Sequence, residues 1–195
     1  MRSKSFAATL AVFTATVAQL AIATFAPGLS QFEGKAFGSR LVAYPIMMLL
    51  VPAIWWLIAR QSHSQKPLPW GGFALIMTPF LIDVTGNTLN LYDTVAWWDD
   101  LNHFVNWLLL CWGAGILLTR GSVSTRWALL LAITGLGAVL AVLWELAEWY
   151  AFIRHGTELA NAYEDTLGDE ALGTLGGLVA ALIVVVRSSE PDSTR

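Results

Sequence analysis

The sequence predicts an all-α integral membrane protein, a single domain built as a bundle of about six transmembrane helices. Of its 195 residues, 56% are hydrophobic and only 13% are charged, which is too apolar for a water-soluble fold of this size. Several apolar stretches approach the roughly 20 residues that a helix needs to cross a bilayer. Short polar connections separate these stretches, as multi-pass membrane proteins require.

The first two predicted membrane helices cover 6–25 and 41–59. The first follows a basic start and resembles the opening of a signal peptide, but its apolar run is longer than a usual signal core. We therefore expect a retained helix, with removal as a signal peptide as the alternative. Pro45 and Pro52 lie inside the second helix and are expected to kink it, although neighbouring helices can satisfy the carbonyls that lose partners.

The remaining four predicted helices cover 70–85, 101–118, 127–150 and 171–186. After the third, Gly, Asn and Asp residues interrupt the apolar pattern as far as Trp97, which predicts an external loop or a half-buried interfacial helix. A short tail at 187–195 closes the chain.

The distribution of Lys and Arg predicts that both termini are cytoplasmic, since cytoplasmic loops carry the excess of these residues. Eight then lie inside: Arg2, Lys4, Arg60, Lys66, Arg120, Arg126, Arg187 and Arg195. Three lie outside: Lys35, Arg40 and Arg154. In this orientation, all acids except Glu190 and Asp192 fall on the outer side or in the outer half of a helix. The orientation was derived from Lys and Arg alone, so the placement of the acids is independent support for it. We expect a multi-pass protein of the bacterial inner membrane, with membrane lipids as partners.

Two other classes of protein are disfavoured by composition. The formal net charge is -3 and there is no dense basic run, so nucleic acid is not expected as a partner. Cys111 is the only cysteine and lies inside an apolar run, so one chain can build neither a disulfide framework nor a thiolate metal site.

A first group of candidate site residues opens the fourth predicted helix. Asp99 lies four residues before His103, and Asp100 lies three before it, so either carboxylate can reach the imidazole if the segment is helical. A carboxylate beside a histidine orients it for proton transfer or fixes its tautomer as a metal ligand. Alternatively, one aspartate only caps the helix and complements its dipole, and His103 is a structural donor.

A second group ends the fifth predicted helix, where Glu145 and Glu148 are three residues apart and nearly on one face. Arg126 to Glu145 is about 28 Å of helix, which places Glu145 close to the outer edge of the hydrocarbon. Two carboxylates at this depth repel each other unless a proton, a cation or donors intervene. The alternative is a pair that extends into the lipid headgroups.

A third group precedes the sixth predicted helix, where Asp165 and Asp169 are four residues apart. Acids at a helix start are also ordinary capping residues. Gly173 and Gly177 follow and form a face of small residues that allows another helix to approach closely, which would move Asp169 toward the bundle axis.

Together these groups predict a site for a divalent metal ion or a polar headgroup, because carboxylates and imidazole are ligands that hard or borderline cations accept. Asp83 and Asn87, at the outer end of the third helix, are predicted to support the ligands, as is Asp165. The candidate metal ligands are Asp99, Asp100, His103, Glu145, Glu148 and Asp169. The candidate catalytic residues are His103, Glu145 and Glu148. No H-E-x-x-H zinc motif is present, so this prediction depends on convergence in space.

The order of these motifs resembles the YjdF-like inner-membrane proteins. The motifs are D-x3-H starting at Asp99, E-x2-E-W starting at Glu145, and D-x3-D followed by glycines, starting at Asp165. The pattern is more distantly similar to VanZ-like proteins, and the likeness covers roughly residues 83–185. VanZ-like proteins tend to have glutamine and asparagine where this chain has Glu148 and Asp169, which argues against a glycopeptide-resistance role. The resemblance implies the topology and an outer acidic site rather than a reaction.

Three functional hypotheses follow. The first is a membrane protein, enzyme or binding protein, whose outward site handles a metal ion or the head of a lipid or lipid-linked substrate. The second is a cation or proton transporter, which is disfavoured because the inner halves of the predicted spans contain almost no ionisable groups. The third is a non-catalytic accessory subunit whose acids bind a protein partner.

Overall fold

The computed structural model describes residues 2–26, 28–62, 66–121, 123, 125–151 and 162–188, and within these ranges the regular structure is entirely helical. The all-α prediction is confirmed. The chain divides into two compact units, unit 1 at 1–98 and unit 2 at 99–195. The expectation of a single domain stays a prediction, and each unit is described by itself.

Unit 1 contains helices α1 to α4. Their bounds are Arg2–Phe25 for α1, Phe37–Gln61 for α2, Trp70–Thr88 for α3 and Leu91–Thr94 for α4. Its core joins the first three helices through Leu20, Tyr44 and Val84. α1 packs along α3, where the Thr9 hydroxyl donates to the Trp70 carbonyl over 2.8 Å. The first helix is therefore an integral part of this unit's packing.

The described part of unit 2 contains three further helices. Their bounds are Trp98–Arg120 for α5, Arg126–Ala151 for α6 and Ala162–Arg187 for α7, with Trp98 itself assigned to unit 1. The core is formed by fully buried side chains from all three, including Cys111, Ile133 and Ala181. The ionisable thiol of Cys111 is enclosed in apolar surroundings, as its apolar sequence context predicts.

Within the described residues, five helices are long and apolar enough to cross a membrane: Ser3–Phe25, Phe37–Gln61, Trp98–Arg120, Arg126–Tyr150 and Ala162–Arg187. The third predicted span is helical but is not among these five, because Asp83, Asn87 and neighbouring polar residues lower its mean hydropathy. Crossing of the membrane by α3 stays a prediction. α2 remains one helix through Pro45 and Pro52.

The last helix differs most from its predicted bounds, since it begins at Ala162 rather than near 171. Hydropathy locates only the apolar part of a helix. Glu164 and Asp165 in the first turn complement the positive end of the helix dipole and extend the helix beyond the apolar run. The added turns carry Asp169, which therefore has the fixed position of a helical residue.

Small residues spaced by four bring α6 and α7 together. A Cβ added to Gly177 would lie 3.1 Å from the Gly137 Cα, and one added to Gly173 would lie 2.9 Å from the Ala141 Cβ. The close approach predicted at Gly173 and Gly177 is confirmed. The two helices are antiparallel, and Gly177 lies opposite Gly137 while Gly173 lies opposite Ala141. Four residues further along each helix, Asp169 therefore lies opposite Glu145.

Candidate metal centre

The His103 imidazole lies at the centre of a cluster of carboxylates in unit 2. Its Nε2 atom lies 3.7 Å from Asp99 Oδ1 and 3.7 Å from Asp169 Oδ2, and its Nδ1 atom lies 3.8 Å from Glu145 Oε1. Helices α5, α6 and α7 each contribute at least one of these groups. Together with Glu148 on α6, these residues are called the His103 cluster.

The Glu145 carboxylate has one buried oxygen that lacks a hydrogen-bond donor among the described residues. Its side chain is only 5% exposed, and its Oε1 atom accepts no hydrogen bond from any residue that the structure describes. The Thr166 side chain on α7 hydrogen-bonds to the same carboxylate. A buried carboxylate oxygen without a donor is costly, so Oε1 calls for a proton or a cation.

Two overlapping sets in the cluster have the composition and spacing of metal ligands. Asp99, His103 and Asp169 form one set, and His103, Glu145 and Glu148 form the other; within each set the ligand atoms lie within 4.8 Å of one another. Donors around one cation with bonds of about 2.1 to 2.4 Å lie about 3.0 to 3.9 Å apart. The 3.7–3.8 Å separations around His103 are too long for hydrogen bonds but fit this range.

The positive charges that the structure describes in unit 2 lie far from the cluster. Among the residues described there, the only Lys or Arg side chains are Arg120, Arg126 and Arg187, which lie at the opposite helix ends. About 27 Å of α7 separates Asp169 from Arg187, close to the thickness of the hydrocarbon core. The Lys and Arg side chains described in this unit therefore lie about one membrane thickness away from the buried carboxylates of Glu145 and Asp169.

The other acidic residues predicted for the site lie at its edge. Asp100 is exposed and belongs to neither ligand set, whereas Asp99 is turned toward His103. Asp165 is exposed one helical turn before Asp169, and Glu148 is half-buried one turn after Glu145. Asp100 lies in the first turn of α5, where its negative charge complements the helix dipole.

Three polar residues in the same part of unit 2 were not among the site residues predicted from the sequence. Asn102 is 4% exposed and accepts from Asn106 Nδ2 over 3.4 Å, and Thr166 contacts Glu145. Asn106 Oδ1 is buried without a hydrogen bond from the described residues. The sequence signal for these amides was their position in an apolar helix: Asn102 directly precedes His103, and Asn106 lies three residues after it.

Asp83 and Asn87 belong to a separate network in unit 1. Arg40 pairs with Asp83 Oδ2, and Tyr44 donates to the same oxygen over 2.6 Å. Asp83 Oδ1 accepts from Tyr92 over 3.0 Å and from Asn87 over 3.1 Å. Both oxygens of Asp83 are therefore satisfied within unit 1, and the supporting role predicted for Asp83 and Asn87 at the metal ligands stays a prediction.

The comparison with protein families decides where this chain belongs. A family model described as predicted membrane protein (DUF2238) matches residues 8–190. The chain is a DUF2238 protein. The match spans both units of this DUF2238 chain, and it establishes a membrane protein family of uncharacterised activity. No curated protein and no solved structure matches the DUF2238 chain.

Proposed function

We propose that this DUF2238 protein binds a divalent metal ion in the His103 cluster, on the non-cytoplasmic side of a bacterial inner membrane. The observation that carries the proposal is the convergence of two buried carboxylates from other helices on the His103 imidazole, Asp169 Oδ2 at 3.7 Å and Glu145 Oε1 at 3.8 Å. One divalent cation would offset several of the surrounding charges at once. The YjdF-like relationship, which also implies an outer acidic site, is part of this proposal.

The ligand chemistry favours particular ions. Carboxylates suit Mg²⁺, Ca²⁺ and Mn²⁺, whereas an imidazole donor favours Zn²⁺, Mn²⁺ or Fe²⁺ over the first two. Mn²⁺ accepts both kinds of donor and Zn²⁺ binds in similar surroundings, so these two ions are the appropriate probes.

Metal binding is tested by calorimetric titration of MnCl₂ and ZnCl₂ into the purified full chain in detergent. We expect saturable binding, and at a free metal concentration 100 times the Kd a stabilisation of about 2.7 kcal/mol that chelator reverses. His103→Ala should weaken binding strongly, whereas Asp100→Asn, which removes an exposed carboxylate on the same helix, should not. A wild-type chain that binds neither ion and melts identically in chelator would refute the proposal.

A polar lipid headgroup is the second part of the proposal. Exposed aromatic side chains lie close to the cluster along the chain, with Trp149 at 51% and Tyr163 at 78% exposure, and such residues favour the headgroup level of a bilayer. An ion at this level would have anionic headgroups within reach. Nanodiscs of phosphatidylglycerol should therefore raise the affinity for Mn²⁺ above that in phosphatidylcholine nanodiscs, more for wild type than for His103→Ala. An equal effect on both proteins would reflect the surface charge of the bilayer alone and would contradict the headgroup part of the proposal.

The outward orientation is tested separately by reporter fusions. Because Arg120 and Arg126 flank the turn between α5 and α6, we expect this turn to be cytoplasmic and the Tyr163 region to be external. Alkaline phosphatase, which is active only outside the cytoplasm, should be active when fused after Tyr163 and inactive when fused after Gly121. Fluorescent-protein fusions at the same positions should show the opposite pattern, and a cytoplasmic Tyr163 would overturn the orientation.

A further inference from the structure

We propose that the two nitrogens of His103 have different tasks: Nε2 binds the cation together with Asp99 and Asp169, while Nδ1 donates a hydrogen bond to Glu145, which positions the ring. This inference rests on the proposed function, because it assigns roles within the same metal site. It makes Glu145 a positioning residue and limits the His103 cluster to one ion.

The surroundings of Nε2 support the cation on that side. Asp99 Oδ1 and Asp169 Oδ2 each lie 3.7 Å from Nε2, and they come from two different helices. Asp99 shares α5 with the imidazole one turn away, whereas Asp169 approaches from α7. A cation between these three atoms requires only a small closure of the ligands, since donors around one cation lie about 3.0 to 3.9 Å apart.

The surroundings of Nδ1 support a hydrogen bond instead. Glu145 Oε1 lies 3.8 Å from Nδ1 and lacks a hydrogen bond from the described residues. A closure of roughly 0.8 Å when the ion binds would bring an Nδ1–H group within hydrogen-bond distance of this buried oxygen, which needs a donor. Protonation at Nδ1 fixes the tautomer in which the Nε2 lone pair is free for a metal, an arrangement that carboxylates commonly impose on metal-binding histidines.

Solvent access also distinguishes the two sides. On the Nε2 side the Asp169 side chain is only 4% exposed, but the Asp99 side chain is 45% exposed and offers a path for an arriving hydrated ion. The Glu145 side chain on the opposite side is only 5% exposed. Since a metal site needs an entry path, the exposed side is the one through which the ion is expected to bind and exchange.

Conservative and disruptive substitutions separate a ligand from a positioning residue. Glu145→Gln keeps an oxygen that accepts from Nδ1–H, so the Mn²⁺ affinity should stay within about tenfold of wild type, whereas Glu145→Ala should weaken it by about 10 to 100-fold. Asp169→Asn removes an anionic ligand and should weaken binding more than either. Asp100→Asn serves as the control and should bind Mn²⁺ like the wild type.

The full chain is titrated with Mn²⁺, and pulsed electron paramagnetic resonance of the bound ion reports the nitrogen coupling of His103. We expect one Mn²⁺ per chain and an unchanged nitrogen coupling in Glu145→Gln, with circular dichroism confirming that each variant is folded. A second Mn²⁺ lost with Glu145, or a Glu145→Gln defect as severe as that of Asp169→Asn, would overturn the inference while preserving metal binding. A wild type that binds neither Mn²⁺ nor Zn²⁺ would overturn the proposed function and the inference together.

Discussion

Gly176→Ala is expected to weaken Mn²⁺ binding by at least about tenfold and to destabilise unit 2 by about 1 to 3 kcal/mol. A Cβ at Gly176 would collide with the backbone carbonyl oxygen of Phe104 and lie 3.0 Å from the backbone nitrogen of Leu108. Backbone atoms cannot rotate away as a side chain can, so α7 must move from α5. Asp169 moves with α7 and His103 stays with α5, so the distance between the two ligands increases. Thermal unfolding and Mn²⁺ titration of the variant measure both effects.

Gly168→Ala provides the matched control on the same helix. A Cβ at Gly168 meets nothing within 4 Å, so the added methyl group is accommodated and the higher helix propensity of alanine applies. We expect unchanged Mn²⁺ affinity and equal or greater stability. Wild-type behaviour of Gly176→Ala, or equal damage from both substitutions, would show that the close approach of α5 and α7 does not set the metal site.

Arg40→Met is expected to destabilise unit 1 by about 3 to 5 kcal/mol, because it leaves the Asp83 carboxylate largely buried without its cation. The paired side chains are only 18% and 14% exposed. Tyr44 and Tyr92 would still donate to Asp83, but neutral donors do not offset its charge. Reversible unfolding in mixed detergent micelles measures the loss.

Lys35→Met tests whether this loss depends on burial. Lys35 forms a 2.8 Å ion pair with Asp93; the Lys35 side chain is 13% exposed, but the Asp93 carboxylate is 60% exposed, so water solvates it when the cation is removed. We therefore expect a loss close to the 0 to about 1 kcal/mol of surface pairs. The double variant Arg40→Met, Asp83→Leu removes both charges and should recover most of the stability lost in Arg40→Met. Equal losses from Arg40→Met and Lys35→Met would contradict the role assigned to the buried pair.

Part of the His103 cluster could be predicted from the sequence, because some of its determinants are local. Asp99 and His103 are one helical turn apart, and Gly173 and Gly177 mark the face on which Asp169 continues. Hydropathy located the helices but not the polar start of α7, since the acidic turns from Ala162 have no apolar signature. The different roles that we propose for the two nitrogens of His103 depend on ring orientation, which sequence spacing does not determine.

The polar network of unit 1 was not predictable in the same way. Arg40 and Asp83 are 43 residues apart and lie on different helices, so no local periodicity relates them. Arg40 entered the sequence analysis only as an external charge, and Asp83 only as a potential supporting residue. The sequence indicated only that both residues lie at a similar depth, in the predicted outer halves of two helices. A similar depth does not specify which helices are neighbours.

Anomalous diffraction from crystals of the full chain grown with Mn²⁺ tests most directly whether the His103 cluster is a metal centre. We predict one anomalous peak within bonding distance of His103 Nε2, Asp99 and Asp169, with Glu145 hydrogen-bonded to Nδ1. Crystals at saturating Mn²⁺ without a peak among these side chains, or with the carboxylates directed away from His103, would contradict the account.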